Sequence, residues 1–178
     1  YKFIDLLLTF FKKRGIIIML LFGAAYNKYY GGGIVVYSAI DVAKYIIKHC
    51  KEKNLPVSNL KLQKLLYFVQ AEFLVVKNEP CFEEEIEAWD FGPVVPVVYR
   101  EYKIFGSANI PCITNDNYEP DVISADDKET INGIVDMVAP YSASQLVSIT
   151  HQQDPWRNAY SSRRNNVITN DSIREFFK

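Results

Sequence analysis

The spacing of apolar residues early in the chain predicts two helices. Between residues 38 and 53 apolar side chains recur at helical intervals, and Pro56 ends this run because proline cannot continue a helix. A second helix is expected after Ser58, since serine is a good N-terminal cap. Its apolar positions follow the spacing of a buried face: Leu62, Leu65, Leu66, Val69 and Phe73.

The rest of the chain predicts further helices and one small β element. The helices are expected over residues 94–105, from Ser124 to before Pro140, from Ser142 to His151, and over residues 169–178. Residues 82–90 alternate in polarity and favour a short strand, and residues 108–122 favour a loop with a small strand at Ile110 and Ile113. We therefore predict a mainly α, compact helical domain with a small β element near residues 82–90.

The most informative segment is EAWDFGPVVPVVYREY, residues 87–102, which is strongly aromatic and locally rigid. Gly92 can adopt backbone angles that other residues avoid, while Pro93 and Pro96 fix φ and suit the start of a helix. The segment predicts a strand, a stiff turn and a helix. The simpler interpretation of its aromatic residues is core packing at this junction, and the alternative is a preorganised surface for another protein.

The charge distribution favours a protein partner over nucleic acid. Residues 1–36 hold five of the 20 basic residues and one of the 21 acidic residues, so the remaining chain has 15 basic and 20 acidic residues, a balance of −5. Such a body is repelled by phosphate backbones. The acidic run Glu83-Glu84-Glu85 is either a solvated loop or an attraction for a basic partner. No nucleic-acid partner is expected.

Residues 1–36 differ from the rest of the chain. They contain two apolar runs separated by Lys12-Lys13-Arg14, and the second run has ten residues, against the roughly 20 that a spanning helix needs. We expect no stable membrane insertion. We interpret residues 1–36 as an atypical apolar and basic N-terminal extension that is not native to the protein, and residues 37–178 as one domain.

Few residues suggest chemistry. Three cysteines without a CxxC pair favour neither a disulfide framework nor a zinc site, so a cytoplasmic location is expected. His151 near Asp154 is the one arrangement that invites a hydrolase hypothesis, and the alternative is a structural role for His151 and Trp156. No nucleophile elbow, phosphate loop or dinucleotide motif occurs. The protein is predicted to be no enzyme and to use no metal or cofactor.

Three sequence blocks closely resemble the Panacea domain of SocA-like antitoxins, which are found in bacteria and their phages. The blocks are KLQKLLYFVQ at residues 61–70, the aromatic segment at residues 87–102, and THQQDPWRNAY at residues 150–160. The resemblance runs from residue 37 to residue 178. It implies an antitoxin that neutralises a toxin, encoded by a neighbouring gene, by direct binding. The alternative that it implies is a proteolytic adaptor or phage-borne regulator that delivers a partner protein to a protease.

The candidate contacts with such a partner combine aromatic residues with polar neighbours. The predicted partner-binding residues are Lys61, Lys64, Tyr67, Trp89, Phe91, Tyr99, His151 and Trp156. Aromatic side chains supply most of the binding energy at protein interfaces, which is why they dominate this set. The lysines and Tyr67 are expected opposite the apolar face of the second helix, and the simpler interpretation of these lysines is a solvated surface.

Overall fold

The computed structural model of the protein describes residues 36–111 and 122–178. Within these ranges the elements are α1 (Ala39–Glu52), α2 (Asn59–Val76), β1 (Ile86–Trp89), β2 (Gly92–Val94), α3 (Pro96–Tyr102), a 3-10 turn (Lys103–Phe105), α4 (Ala125–Val138), α5 (Ala143–Thr150), α6 (Asp154–Ala159), β3 (Val167–Ile168) and α7 (Asn170–Phe177). The predicted mainly α fold with a small β element is confirmed. Apart from Val36, the predicted N-terminal extension lies outside the described residues, as does Ile113.

The helix starts agree with the capping residues in the sequence. The hydroxyl of Ser58 accepts a hydrogen bond from the backbone N–H of Lys61 at the start of α2, and Ser124 caps α4 in the same way. At α5 the predicted capping box between Ser142 and Gln145 is complete, with both reciprocal hydrogen bonds formed. These caps satisfy backbone N–H groups that have no partner inside a helix, so they fix where each helix begins.

Helix α2 is the centre of the domain. It packs against α1, α3, α4, α5, α7 and β2, and every residue from Lys61 to Leu74 is buried. The buried hydrophobic side chains around it form one core, and its members come from along the chain between Tyr37 and Phe177. None of the helices in residues 36–111 and 122–178 is both long and apolar enough to cross a membrane.

The predicted solvated surface on α2 is wrong. Lys61 is almost fully buried, and Lys64 and Tyr67 have no exposed surface. The reason is that other elements cover the polar side of this helix as well as its apolar side. Each lysine amine donates a hydrogen bond to a backbone carbonyl oxygen, and this bond permits the burial of the amine.

The small sheet has the strand order β2-β1-β3, and both pairings are antiparallel. Trp89 pairs with Gly92, so a two-residue turn of Asp90 and Phe91 joins β1 to β2. Gly92 has a φ of +96°, which favours glycine at this position. We call residues 86–94 the hairpin.

The boundaries of the hairpin elements differ from the predicted ones. The predicted strand is shorter, the predicted helix begins at Pro96 because Val94 pairs with Glu87 in the sheet, and the end of that helix tightens into a 3-10 turn. Strands β2 and β3 were not predicted, since two or three residues are too few to show a period of two. The residues after Gln153 form helix α6, which was not predicted.

Candidate protein-binding site

Helix α6 and the residue after it hold the turn of the hairpin from one side. The indole Nε1 of Trp156 donates a hydrogen bond to the carbonyl oxygen of Trp89 at 3.0 Å. The hydroxyl of Tyr160 donates to Oδ1 of Asp90 at 2.9 Å, and this hydrogen bond raises the pKa of Tyr160. Two side chains from one short segment therefore fix the last residue of β1, Trp89, and the first residue of the turn, Asp90.

A stack of three rings gives these side chains their orientation. The ring centroids of His151 and Trp156 lie 3.9 Å apart at an interplanar angle of 14°. Those of Trp156 and Tyr160 lie 4.5 Å apart at 20°. Because each ring packs on the next, the stack restricts the rotamers of both hydrogen-bond donors to the turn.

Helix α2 holds the hairpin from beneath. Nζ of Lys64 donates a hydrogen bond to the carbonyl oxygen of Pro93 at 2.8 Å. A Cβ atom at position 92 would lie 2.8 Å from Cε of Lys64 and 2.7 Å from Oγ1 of Thr150, so only glycine fits there. Burial lowers the pKa of Lys64 from its ordinary value of 10.5 to about 7.

The outer side of the hairpin is aromatic and accessible. Phe91, at the turn, is 67% exposed, and Tyr99 on α3 is 36% exposed. Trp89 is half-buried and packs edge-on against Tyr99, with ring centroids 4.9 Å apart. We call Trp89, Phe91 and Tyr99 the hairpin face. It combines rigid backbone with exposed aromatic surface, as the energetically dominant regions of protein interfaces do.

Several glutamates lie just before the hairpin in the sequence, and one lies within it. Glu83 and Glu85 are exposed, whereas both carboxylate oxygens of Glu84 accept the backbone N–H of Ala39 at the start of α1. Glu87 accepts a hydrogen bond from the indole Nε1 of Trp89 at 2.7 Å. The acidic run is therefore divided: its middle member caps a helix, and the outer two leave their negative charge facing solvent.

The structure separates the predicted partner-binding residues into two groups. Those with accessible surface are Trp89, Phe91, Tyr99 and His151, and those that are buried are Lys61, Lys64, Tyr67 and Trp156. Lys64 and Trp156 each donate a hydrogen bond to the backbone of the hairpin, at Pro93 and Trp89 respectively. The amine of Lys61 instead donates to Pro56, in the connection between α1 and α2.

His151 and Asp154, on which the hydrolase hypothesis rests, form no hydrogen bond with each other. The carboxylate of Asp154 pairs with Arg157 at 3.3 Å. Nε2 of His151 is buried and has no hydrogen-bond partner in the described part of the chain. Burial, together with the charge of Lys64, lowers the pKa of His151. Within residues 36–111 and 122–178, no three side chains of His, Cys, Asp or Glu are grouped so that they could hold a metal ion.

Sequence reasoning missed the roles of Asp90 and Tyr160. Tyr160 follows Trp156 by four residues, a spacing that places two side chains on the same side of a helix, so this contact carried a usable signal. The hydrogen bond from Tyr160 to Asp90 joins residues 70 positions apart, so no local sequence pattern could indicate it. The bond from Lys64 to Pro93 likewise joins distant parts of the chain.

Comparison with known proteins identifies the family of this chain. The family described as "Antitoxin SocA-like, Panacea domain" matches residues 62–157, which include most of α2, the hairpin and Trp156. Antitoxin SocA of Caulobacter vibrioides (strain NA1000 / CB15N) is 39% identical over 128 residues, which is 65% of this chain and 66% of that protein. The match thus spans just under two thirds of the relative's length. No solved structure matches the chain. The chain belongs to the antitoxin SocA-like, Panacea domain family.

Proposed function

We propose that this protein is an antitoxin that neutralises a toxin protein by direct binding, with the hairpin face as its main contact. The observation that carries the proposal is Phe91, which is two-thirds exposed at a turn whose backbone is held by surrounding side chains. A large apolar side chain on a fixed backbone loses little entropy on binding, so its burial by a partner yields a large net gain.

The partner is a protein with a basic surface. The exposed carboxylates of Glu83 and Glu85 lie just before the hairpin, and the chain from residue 37 onward carries a balance of −5. Opposite charges around an aromatic centre speed encounter and orient the two surfaces. The same acidic body repels nucleic acid, so a neighbouring toxin polypeptide, and no nucleic acid, is the proposed ligand.

Neutralisation proceeds by covering the toxin's active or target-binding surface. The proposed mechanism needs no bond-making, no metal and no cofactor from this chain, and the protein acts in the cytoplasm, where its toxin is made. Trp89, Phe91, Tyr99 and His151 offer the accessible contact surface. Of the four buried members, Lys64 and Trp156 support the hairpin through its backbone, and none of the four touches the partner.

Co-expression with the toxin encoded beside this chain's gene tests the proposal. Phe91→Ala removes an interface anchor and is expected to weaken toxin binding by about 30-fold or more, since a dominant aromatic contact contributes on the order of 2 kcal/mol or more. Ile104→Ala is the matched control, because Ile104 is also apolar and is 83% exposed on the 3-10 turn. Equal protection by the Phe91→Ala protein and the unchanged protein contradicts the proposal.

The level of toxin in the same cells separates masking from delivery to a protease. Masking leaves the toxin present and bound, whereas an adaptor lowers its level only when both this protein and the protease are present. Immunoblotting of the toxin in protease-deficient and protease-containing cells distinguishes the two outcomes.

A further inference from the structure

We infer that Lys64 is a positioning residue for the hairpin face: its buried amine holds the Gly92-Pro93 segment in place and so fixes the direction in which Phe91 points. The consequence for toxin binding rests on the proposed function. The effect on the hairpin itself is a property of this chain alone, so the two can fail separately.

The buried amine of Lys64 has its hydrogen-bond acceptor in the hairpin. The side chain lies at the centre of α2 with no exposed surface, and Nζ donates to the carbonyl oxygen of Pro93. Burial is the cause of its lowered pKa, and no carboxylate among the described residues counteracts that effect. A buried amine without a carboxylate is costly, and its hydrogen bond to the hairpin backbone is what offsets that cost in the folded chain.

The contact between the lysine and the turn is tight as well as polar. Gly92 leaves no room for a Cβ atom between its backbone and Cε of Lys64. The alkyl chain therefore packs against Gly92 while the amine binds the next residue, Pro93. Phe91 immediately precedes this pair, so a displacement of the Lys64 side chain moves the backbone that carries the exposed ring.

Lys61 provides a matched comparison within the same helix. Its side chain is also buried, and its Nζ donates to the carbonyl oxygen of a proline, Pro56, at 3.0 Å. That proline lies between α1 and α2, away from the hairpin. The two lysines thus share chemistry and type of acceptor, and burial lowers the pKa of both, to about 7 for Lys64. They differ in the segment that they hold and slightly in burial, since Lys61 keeps 6% exposure.

The charge on Lys64 changes near neutral pH, and its titratable neighbours do not share that range. Burial lowers the pKa of Lys64 to about 7. The pKa of His151, from the end of α5, is lowered by burial and by Lys64, so His151 titrates below its ordinary 6.5. Burial raises the pKa of Tyr67 far above this range. In the turn, Asp90 is bound by Tyr160, whose pKa is raised, and β2 carries no titratable side chain.

Hydrogen exchange on the isolated chain tests the inference without a toxin. Lys64→Met keeps the apolar length of the side chain and removes the donor, and exchange of the amides in residues 86–94 is expected to accelerate about tenfold relative to those of α4. Lys61→Met is expected to leave hairpin exchange unchanged. Unchanged hairpin protection in Lys64→Met, or equal acceleration in both variants, overturns the inference.

A pH titration provides a readout that loss of stability alone does not move. The chain has two tryptophans. Trp89 is part of the hairpin, and Trp156 donates a hydrogen bond to the hairpin backbone. The indole N–H resonance of Trp156 is expected to shift with an inflection near pH 7 in the unchanged protein and to lose that inflection in Lys64→Met, while the lower transition of His151 persists. If Lys64→Met does not fold, the unchanged protein decides: absence of nuclear Overhauser contacts between the Cε protons of Lys64 and the α protons of Gly92 overturns the inference.

The toxin-binding measurements keep this inference apart from the proposed function. If Phe91→Ala binds toxin normally, the hairpin face is not the contact, whatever Lys64 does. If Phe91→Ala weakens binding but Lys64→Met matches the unchanged protein in both hairpin exchange and affinity, the positioning role is wrong and the proposed function stands.

Discussion

The seam between α1 and α4 and the hairpin use polar side chains in opposite ways. In the seam, Nε2 of His49 lies 2.7 Å from Oδ1 of Asp136, and Lys53 donates to the other carboxylate oxygen of Asp136 at 3.0 Å. The polar groups there bind one another across the surface. In the hairpin, Trp156 and Lys64 direct their hydrogen bonds to the backbone and leave aromatic rings facing outward.

The difference teaches which region is available to a partner. A surface whose charges already pair with each other gains little when a second protein displaces water from it. A surface whose hydrogen bonds are satisfied from beneath, with a ring such as Phe91 exposed, gains the full burial of that ring. Under the proposed function, the seam contributes to stability alone, whereas the hairpin contributes to both stability and recognition.

Of the changes that distinguish the two regions, removal of the Trp156 ring should have the largest effect on stability. Trp156→Ala loses a buried ring that stacks between His151 and Tyr160 and also the hydrogen bond to Trp89. Because truncation of a buried aromatic side chain typically costs 3–5 kcal/mol, we expect a loss of about 4 kcal/mol in the free energy of unfolding. Urea denaturation measures it. A loss below about 1 kcal/mol would show that the ring stack does not support the hairpin.

The pH dependence of stability tests the buried lysine. Unfolded Lys64 keeps its proton up to about its ordinary pKa of 10.5, whereas in the folded chain the pKa is about 7. The unfolded state thus binds more protons above pH 7, so stability rises with pH, by up to about 1.4 kcal/mol per unit between about pH 7.5 and 8.5.

The titration of a buried thiol sets the upper limit of that pH experiment. Above this range, the raised pKa of Cys50, about 11 because of burial, acts in the opposite direction, since the unfolded thiol loses its proton first. Lys64→Met should flatten the rise most, and Lys61→Met should flatten it less, because burial also lowers the pKa of Lys61. A rise of the same slope in Lys64→Met would assign the effect to another group.

A change in the seam should have the smallest effect. Asp136→Asn removes a carboxylate whose side chain is 42% exposed, and surface ion pairs typically contribute 0.2–1 kcal/mol. We expect a loss of at most about 1 kcal/mol in the free energy of unfolding and no change in toxin affinity. Calorimetry of the complex together with thermal unfolding checks both. A large drop in affinity at constant stability would make the seam a second contact surface.

Local chemistry in the sequence predicted much of the frame of this domain. Ser58, Ser124 and the pair of Ser142 and Gln145 cap helices where their residue types and spacing indicated. The stiff turn around Gly92 was also predicted, because few residue types adopt a positive φ. Such features depend on groups within a few positions of one another, which is the range that a sequence pattern reports.

The support beneath the candidate site could not be predicted in the same way. Periodicity placed Lys64 and Tyr67 on a polar side of α2, but burial depends on whether other elements cover that side. The acceptor for Lys64, the carbonyl of Pro93, is present in every peptide unit and so carries no residue-type signal. Phe91 and Trp156 belong to equally aromatic blocks, yet one is exposed and the other buried.

Site-specific photocrosslinking tests the central claim most directly. A benzophenone side chain placed at position 91, in cells that co-express the neighbouring toxin, should form a covalent adduct with that toxin on irradiation. The same probe at position 104, which is exposed on the 3-10 turn, should not. An adduct at position 104 with none at position 91 would contradict the assignment of the hairpin face as the toxin contact.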